Sequence, residues 1–236
     1  MKVDDQITSE RANWSFSGKI AEGFDKHVLR SIPLYEEGHD LICKLSDFFC
    51  QPDSTCYELG CATGALTAKL AKRNEHKANI SWVGIDKEPD MIKQAKKKNQ
   101  THSNIEFIAE DILLHDLKPS DLIISYYTIQ FIPEKHRQEI FNKIYESLNW
   151  GGAFILFEKV RAPDARFQDM MTSLYVDFKA DNGFTPEQII NKTQSLKSAM
   201  SPFSTQANYD LLSRAGFVDY MTVMKYVSFE GILAIK

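Results

Sequence analysis

Five short apolar runs alternate with amphipathic segments, and nothing else in the chain constrains its fold as strongly. The runs are STCYELG at 54–60, ISWVGID at 80–86, IEFIAE at 105–110, DLIISYY at 121–127 and AFILFEK at 153–159. Their length and their bounding residues suit buried strands. Between them, ALTAKLAKR, PDMIKQAKKKN and EKHRQEIFNKIYESLN repeat apolar residues at three and four with charges elsewhere, as helices lying on a sheet require. Strands joined in this way pair in parallel through right-handed crossovers, giving a doubly wound α/β sheet. WGG at 150–152 is expected to close the last of these helices, because glycine takes a left-handed conformation without strain. After Glu158 the rhythm changes. DARFQDMMTSLYVDFKADNG, TPEQIINKTQSLKSAM and STQANYDLLSRAGF read as helices, the second and third opened by Thr185-Pro186 and Ser204. YMTVMKYV and FEGILAIK read as an antiparallel hairpin that ends the sheet.

The junction between the first strand and its helix carries the chemistry. In CYELGCATGALTAKL the strand ends at Glu58, and Gly60-Cys61-Ala62-Thr63-Gly64 leads into the helix. That turn lies at the carboxyl end of a parallel strand, where open α/β sheets bind ligands. Gly60 lets backbone approach a ligand, and Gly64 lets the helix pack closely on the strand. The pattern E-x-G-x-A-x-G lacks the full G-x-G-x-x-G of dinucleotide enzymes and the Lys-Ser of a phosphate loop, so it does not demand a phosphate. Asp86 ends the second strand, placed to accept two ribose hydroxyls. Glu110-Asp111 ends the third, with Ile112 next, an acid beside an apolar residue that suits the amine and face of an adenine ring.

Composition narrows the partners. With 43% hydrophobic and 25% charged residues in 236, the chain suits one large domain, or one domain with a modest appendage, and a net charge of -4 supplies no general attraction to nucleic acid or to anionic membrane. No run of about 18 apolar residues occurs. The expectation is a cytoplasmic protein with no membrane partner and no direct nucleic-acid binding. Cys43, Cys50, Cys56 and Cys61 fit neither zinc nor CxxC spacing and read as reduced, buried thiols. His27, His39, His115 and His136 show no paired metal spacing, read as surface or helix-end residues, and no metal is expected.

Taken together, these motifs resemble the class I S-adenosylmethionine-dependent methyltransferases from about residue 53 to 159 and in the terminal hairpin. YELGCATG resembles their glycine motif, GIDKEPDMI their ribose strand and helix, AEDI their adenine segment, ISYYTIQFI their fourth strand and LNWGGAFILFE their closing helix and fifth strand. The resemblance implies a seven-stranded Rossmann-like sheet with the last strand antiparallel, plus a helical cap, holding S-adenosyl-L-methionine. A closer similarity covers almost the whole chain. NWSFSGKIAEGFDKHVLRSIPLYEEGHDLI, YTIQFI, NKIYESLNWGGAFILFEK and VDFKADNGFTPEQI are similar to the carboxy-S-adenosylmethionine synthases of tRNA wobble-uridine modification. That family moves carbon dioxide derived from prephenate onto the sulfonium methyl. Its cofactor positions fall on Tyr35, Gly60, Cys61, Ala62, Asp86, Lys87, Asp111 and Ile112. Glu58, Gly64, Met91 and Tyr126 complete the expected cofactor set. Two positions depart from the family: Tyr126 stands where it has asparagine, and Thr193 stands where it has the arginine that pairs the added carboxylate. A carboxylate without that bidentate partner would be left costly when desolvated, and Lys192 beside it does not reproduce the fork.

The expected function is therefore methyl transfer from S-adenosylmethionine to a small molecule. Carboxy-S-adenosylmethionine synthesis from prephenate is the alternative, and an inactive cofactor-binding or interaction protein a third reading. Tyr126, Tyr127, Glu158, Tyr35 and Tyr175 are the expected aligners or bases. The expected layout is a helical segment over the site at 1–50, the cofactor-binding core at 51–159, a helical cap at 160–204, and a last helix with the hairpin at 205–236. Phe167, Met170, Met171, Leu174, Tyr175 and Phe178 share helical spacing in the cap, which suits core packing, a lid or a homodimer seam.

Overall fold

The computed structural model describes residues 1–4 and 7–236. Strands β1 (Thr55–Leu59), β2 (Ser81–Asp86), β3 (Ile105–Ala109), β4 (Ser120–Tyr126), β5 (Leu148–Lys159), β6 (Asp219–Tyr226) and β7 (Phe229–Ile235) form one sheet in the order β3-β2-β1-β4-β5-β7-β6. The first five pair in parallel, and β7 runs antiparallel to both of its neighbours. The strand order reverses between β1 and β4, so the crevice that such sheets use for ligands opens at the carboxyl ends of these two strands.

Helices α1 (Lys19–Ser31) and α2 (Tyr35–Phe49) precede the sheet, and α3 (Ala65–Arg73), α4 (Pro89–Lys98) and α5 (Glu134–Ser147) make the crossovers. Helices α6 (Ala165–Asp181), α7 (Pro186–Ser195) and α8 (Thr205–Ala215) follow β5. The pleat of β4 divides the core: Ile123 faces a cluster with Leu59, Ile85, Phe141 and Phe154, whereas Leu122 and Ile124 face Ile42, Leu66, Trp82 and Phe157. Both faces are thus covered, as a parallel sheet needs.

The caps are those expected: Thr185 and Gln188 form a reciprocal capping box at α7, and Ser204 accepts from the amide of Ala207 at α8. Two expectations need correction. WGG does not close α5: the helix ends at Ser147 with Leu148 extended, and Gly151 and Gly152 exchange backbone hydrogen bonds with Lys236 inside the sheet. Helix α7 stops at Ser195 instead of running to Met200. The Ser195 hydroxyl donates to the carbonyl of Lys192, which the Leu196 amide also uses, and the amide of Ser201 donates to the carbonyl of Gln130, so a weakened last turn and a tertiary contact end the helix. Before α1 the chain is bridged turns, Lys2 with Thr8 and Glu10 with Asn13. These pack Val3, Ile7 and Trp14 against Ile20 and Met91. No helix among the described residues is long and apolar enough to cross a membrane.

Candidate active site

The glycine turn gets its shape from three left-handed residues, Gly60 at φ +77°, Ala62 at φ +46° and Gly64 at φ +73°. The alanine therefore stands at a site where glycine is the strain-free choice. A Cβ on Gly60 would collide with the Thr128 side chain, and one on Gly64 would fall 2.5 Å from the ring of Phe107. The space beside Gly60 thus contains Thr128 as well as the open cavity. Asp86 closes the turn, Oδ2 accepting from the amide of Ala62 and Oδ1 from that of Glu88, each at 2.9 Å. Helix α1 clamps it from above: Asp25 accepts from the Thr63 hydroxyl and from Lys98, both at 2.6 Å.

A cavity of about 850 Å³ opens over this turn, ample for a nucleoside and an acceptor together. Glu58, Gly60, Cys61, Ala62, Asp86 and Lys87 line it from the first two strand ends; Met91, Asp111 and Ile112 extend the same wall. Tyr35, Tyr126, Tyr127 and Tyr175 line it too. Two expected residues do not: Gly64 lies behind, against Phe107 and Asn99, and Glu158 is buried beneath the loop after β4. Glu158 takes hydrogen bonds from the amides of Ile129 and Gln130, and burial pushes its carboxyl up to about 8. Its Oε1 has no hydrogen-bond partner among the described residues. Its contacts are those of a loop support.

Tyrosines 126 and 127 reach the same cavity although neighbours on a strand point to opposite faces. Tyr127 leaves the strand conformation at φ +58°, its amide held by the carbonyl of Phe157 at 2.8 Å. Such a backbone persists only where its surroundings enforce it. The Tyr126 ring meets Tyr35, His39, Tyr127 and Phe157 at centroid distances of 5.0 Å or less. Burial raises the phenols of Tyr35, Tyr126, Tyr127 and Tyr175 well above the ordinary tyrosine value. Glu58, buried and bonded to the Thr67 hydroxyl, is pushed up to about 8 by its burial. The four cysteines are free and buried, and the described residues contain no cluster of three or more His, Cys, Asp or Glu suited to a metal.

The end of β5 and the helices above it hold residues that periodicity did not reveal. Lys159, Lys179 and Lys192 line the cavity, and none of them forms an ion pair among the described residues. Lys159 and Lys179 both set Nζ near the ring of Tyr175, at 4.3 and 4.4 Å, and Lys192 stands over Trp14. Burial brings Lys159 down to about 8 and Lys179 to about 7, and it lowers Lys192 well below the ordinary lysine value. His27 lines the same wall, contrary to a surface role. In sequence Lys159 ends a strand, Lys179 sits on an ordinary helical face and His27 shows no metal spacing, so only their convergence distinguishes them.

A methyltransferase-domain family matches residues 57–152. The chain is 35% identical over 224 residues to the carboxy-S-adenosyl-L-methionine synthase of Staphylococcus epidermidis, covering 94% of this chain and 97% of that protein. With the synthase of Ruthia magnifica identity is 31% over 236 residues, 99% of each. Among solved structures, human N-acetylserotonin methyltransferase in complex with S-adenosylmethionine superposes with a TM-score of 0.63 at 17% identity, covering 93% of this chain and 56% of that one. A Methanococcus maripaludis protein of the same fold gives 0.63 at 19% identity, with 97% of each chain covered. The strand ends, the glycine turn and the near-complete match to these relatives agree: the chain is an enzyme that uses S-adenosyl-L-methionine and belongs to the carboxy-S-adenosyl-L-methionine synthase family, within the methyltransferases.

Proposed function

We propose that the protein transfers the methyl group of S-adenosylmethionine to a small anionic acceptor. Thr193 carries this reading. It lines the cavity where the family resemblance expects an arginine, and its hydroxyl donates to the carbonyl of Ile189, 2.9 Å away in its own helix. Arg161, the guanidinium among the described lining residues, is exposed, and its Nε donates to the carbonyl of Pro202. A carboxylate added to the sulfonium methyl would therefore lack a bidentate partner.

The turn at 60–62 would receive the amino-acid end of the cofactor, Asp86 the ribose, and Asp111 with Ile112 the adenine. Each Asp86 oxygen spends one acceptor site on a backbone amide and keeps another for a hydroxyl. S-adenosylmethionine supplies an electrophilic methyl carried on a sulfonium. The protein's task is to align the acceptor, keep water out and receive any proton. Tyr35, Tyr126, Tyr127 and Tyr175 shape the acceptor chamber, with residues 1–50 and 160–204 as its cover. Lys159 and Lys179 hold the acceptor's anion: two neighbouring ammonium groups without a carboxylate gain most when one arrives. The outward face of α6, where Phe167, Met170 and Leu174 are exposed, is the seam assigned to a homodimer.

A second reading, synthesis of carboxy-S-adenosylmethionine from prephenate, is favoured by the relatives' shared name and by half-buried Lys192 beside Thr193. One experiment separates the two. The purified protein is incubated with S-adenosylmethionine, with and without prephenate, then denatured and analysed by mass spectrometry. S-adenosylmethionine or S-adenosylhomocysteine alone is expected. A stoichiometric species heavier by one carbon dioxide establishes the synthase instead.

A further inference from the structure

The helical wall contains a second arrangement that the strand-end motifs do not use. His27, on α1, is 5% exposed and lines the cavity. Its Nδ1 lies 2.6 Å from Oδ2 of Asp4 and its Nε2 lies 3.4 Å from Oγ of Ser31. Asp4 is also buried, and its Oδ1 accepts from Nη1 of Arg30 at 3.0 Å. A carboxylate held by a guanidinium is an acceptor, so the imidazole proton sits on Nδ1 and the lone pair on Nε2. The ring is fixed in orientation as well, stacked on Trp14 at 28° and met edge-on by Phe184.

Among the described residues, the charged groups around it are Asp4 from the N-terminal segment, Arg30 through Asp4, Lys179 from α6 and Lys192 from α7. Burial lowers the affinity of His27 for a proton; Lys192 and Lys179 act in the same direction, and Asp4 opposes them. These surroundings favour the neutral ring. Ser31 links this pair to the lysine cluster, since its carbonyl accepts from the Tyr175 hydroxyl at 2.8 Å and Tyr175 is the ring that Lys159 and Lys179 flank.

We propose that His27, oriented by Asp4, is the general base that takes the proton from the methyl acceptor. This rests on the methyl-transfer reading. As the acceptor atom X bonds to the methyl carbon, the S–C bond breaks with its electron pair remaining on sulfur. The X–H bond breaks with its pair remaining on X, and the proton passes to Nε2. The new imidazolium is balanced by Asp4, the role a carboxylate plays behind a catalytic histidine, and the proton leaves to solvent after product release. The contact with Ser31 is long for a hydrogen bond, so an acceptor group can displace it.

The test uses two acceptors that share an anion and differ in acidity, 3-hydroxybenzoate and 3-mercaptobenzoate. A thiol ionises near pH 8.5 and a phenol only near pH 10, roughly. At pH 8.5 His27→Gln is expected to lower S-adenosylhomocysteine release with the phenol by about 100-fold, through kcat. With the thiol the loss should stay within about threefold, because no base is needed. Calorimetric affinity for S-adenosylmethionine should be unchanged. Histidine 15N spectra of the whole protein at pH 7 should show the His27 ring neutral and protonated on Nδ1, and Asp4→Asn should disturb that tautomer. Equal loss with both acceptors, or a proton on Nε2, overturns the inference. Absence of S-adenosylhomocysteine with either acceptor, in a protein that keeps the Nδ1 tautomer, overturns the methyl-transfer reading and the base with it.

Discussion

The Tyr126 hydroxyl donates to the carbonyl oxygen of Tyr35 at 2.7 Å, tying the start of α2 to the end of β4. The same hydroxyl fills the space above Gly38, where a Cβ would come within 3.2 Å of the Tyr126 ring. A phenol committed in this way positions an element and is poorly placed to remove a proton. Tyr126→Phe should therefore cost about 1 kcal/mol of stability, read by denaturant unfolding, while turnover with any accepted substrate stays within about threefold. A loss of two orders of magnitude in kcat would return the phenol to the chemistry.

The two turn glycines separate structure from binding. Both lie at positive φ against a neighbouring side chain, so replacement by alanine at either should destabilise by about 1–3 kcal/mol. Gly60 borders the cavity and Gly64 does not. Calorimetry should show lost affinity for S-adenosylmethionine in folded Gly60→Ala and near-normal affinity in Gly64→Ala. Equal affinity in both would remove the turn from the cofactor site.

Glu158 has a definite pH signature. Its carboxyl is raised by burial from 4.5 to about 8, so the folded state keeps a proton that the unfolded chain releases. The stability it contributes is complete below pH 4.5 and declines as pH rises to about 8, by at most about 1.4 kcal/mol per pH unit. Subtracting the profile of Glu158→Gln from that of the wild type, by urea unfolding, should isolate that decline. A flat difference would mean that the carboxyl ionises inside the fold.

Lys159 and Lys179 are lowered by burial to about 8 and about 7, so at pH 8 a large share of both is neutral. Folded pKa values below the ordinary lysine value mean that their contribution to stability is present at high pH and lost as pH falls through 8 and 7. An anion bound between them favours the charged forms, and its binding should take up protons. Calorimetry with 3-hydroxybenzoate at pH 8, in buffers of different ionisation enthalpy, should show net uptake, reduced in Lys179→Met. Proton-neutral binding would place the anion elsewhere.

How far each part could be read in advance follows from the range of the forces involved. Strand and helix identity, the capping at Thr185 and Ser204, and the turn at 60–64 arise from neighbours within a few residues, and the sequence determined them. It also placed Glu58, Asp86 and Asp111-Ile112 at successive strand ends, because a parallel sheet brings those ends to one edge whatever the details of packing. Local pattern failed where a distant partner decided. WGG was drawn into the sheet by Lys236, α7 was shortened by Ser195 and Gln130, and Glu158 was placed under a loop instead of in the cavity. The convergence of His27 with Asp4, and of Lys159 with Lys179, was settled only in three dimensions. These side chains sit on separate elements, and the burial that changes their proton affinity exists only once the N-terminal segment, α1, α6 and α7 close over the strand ends.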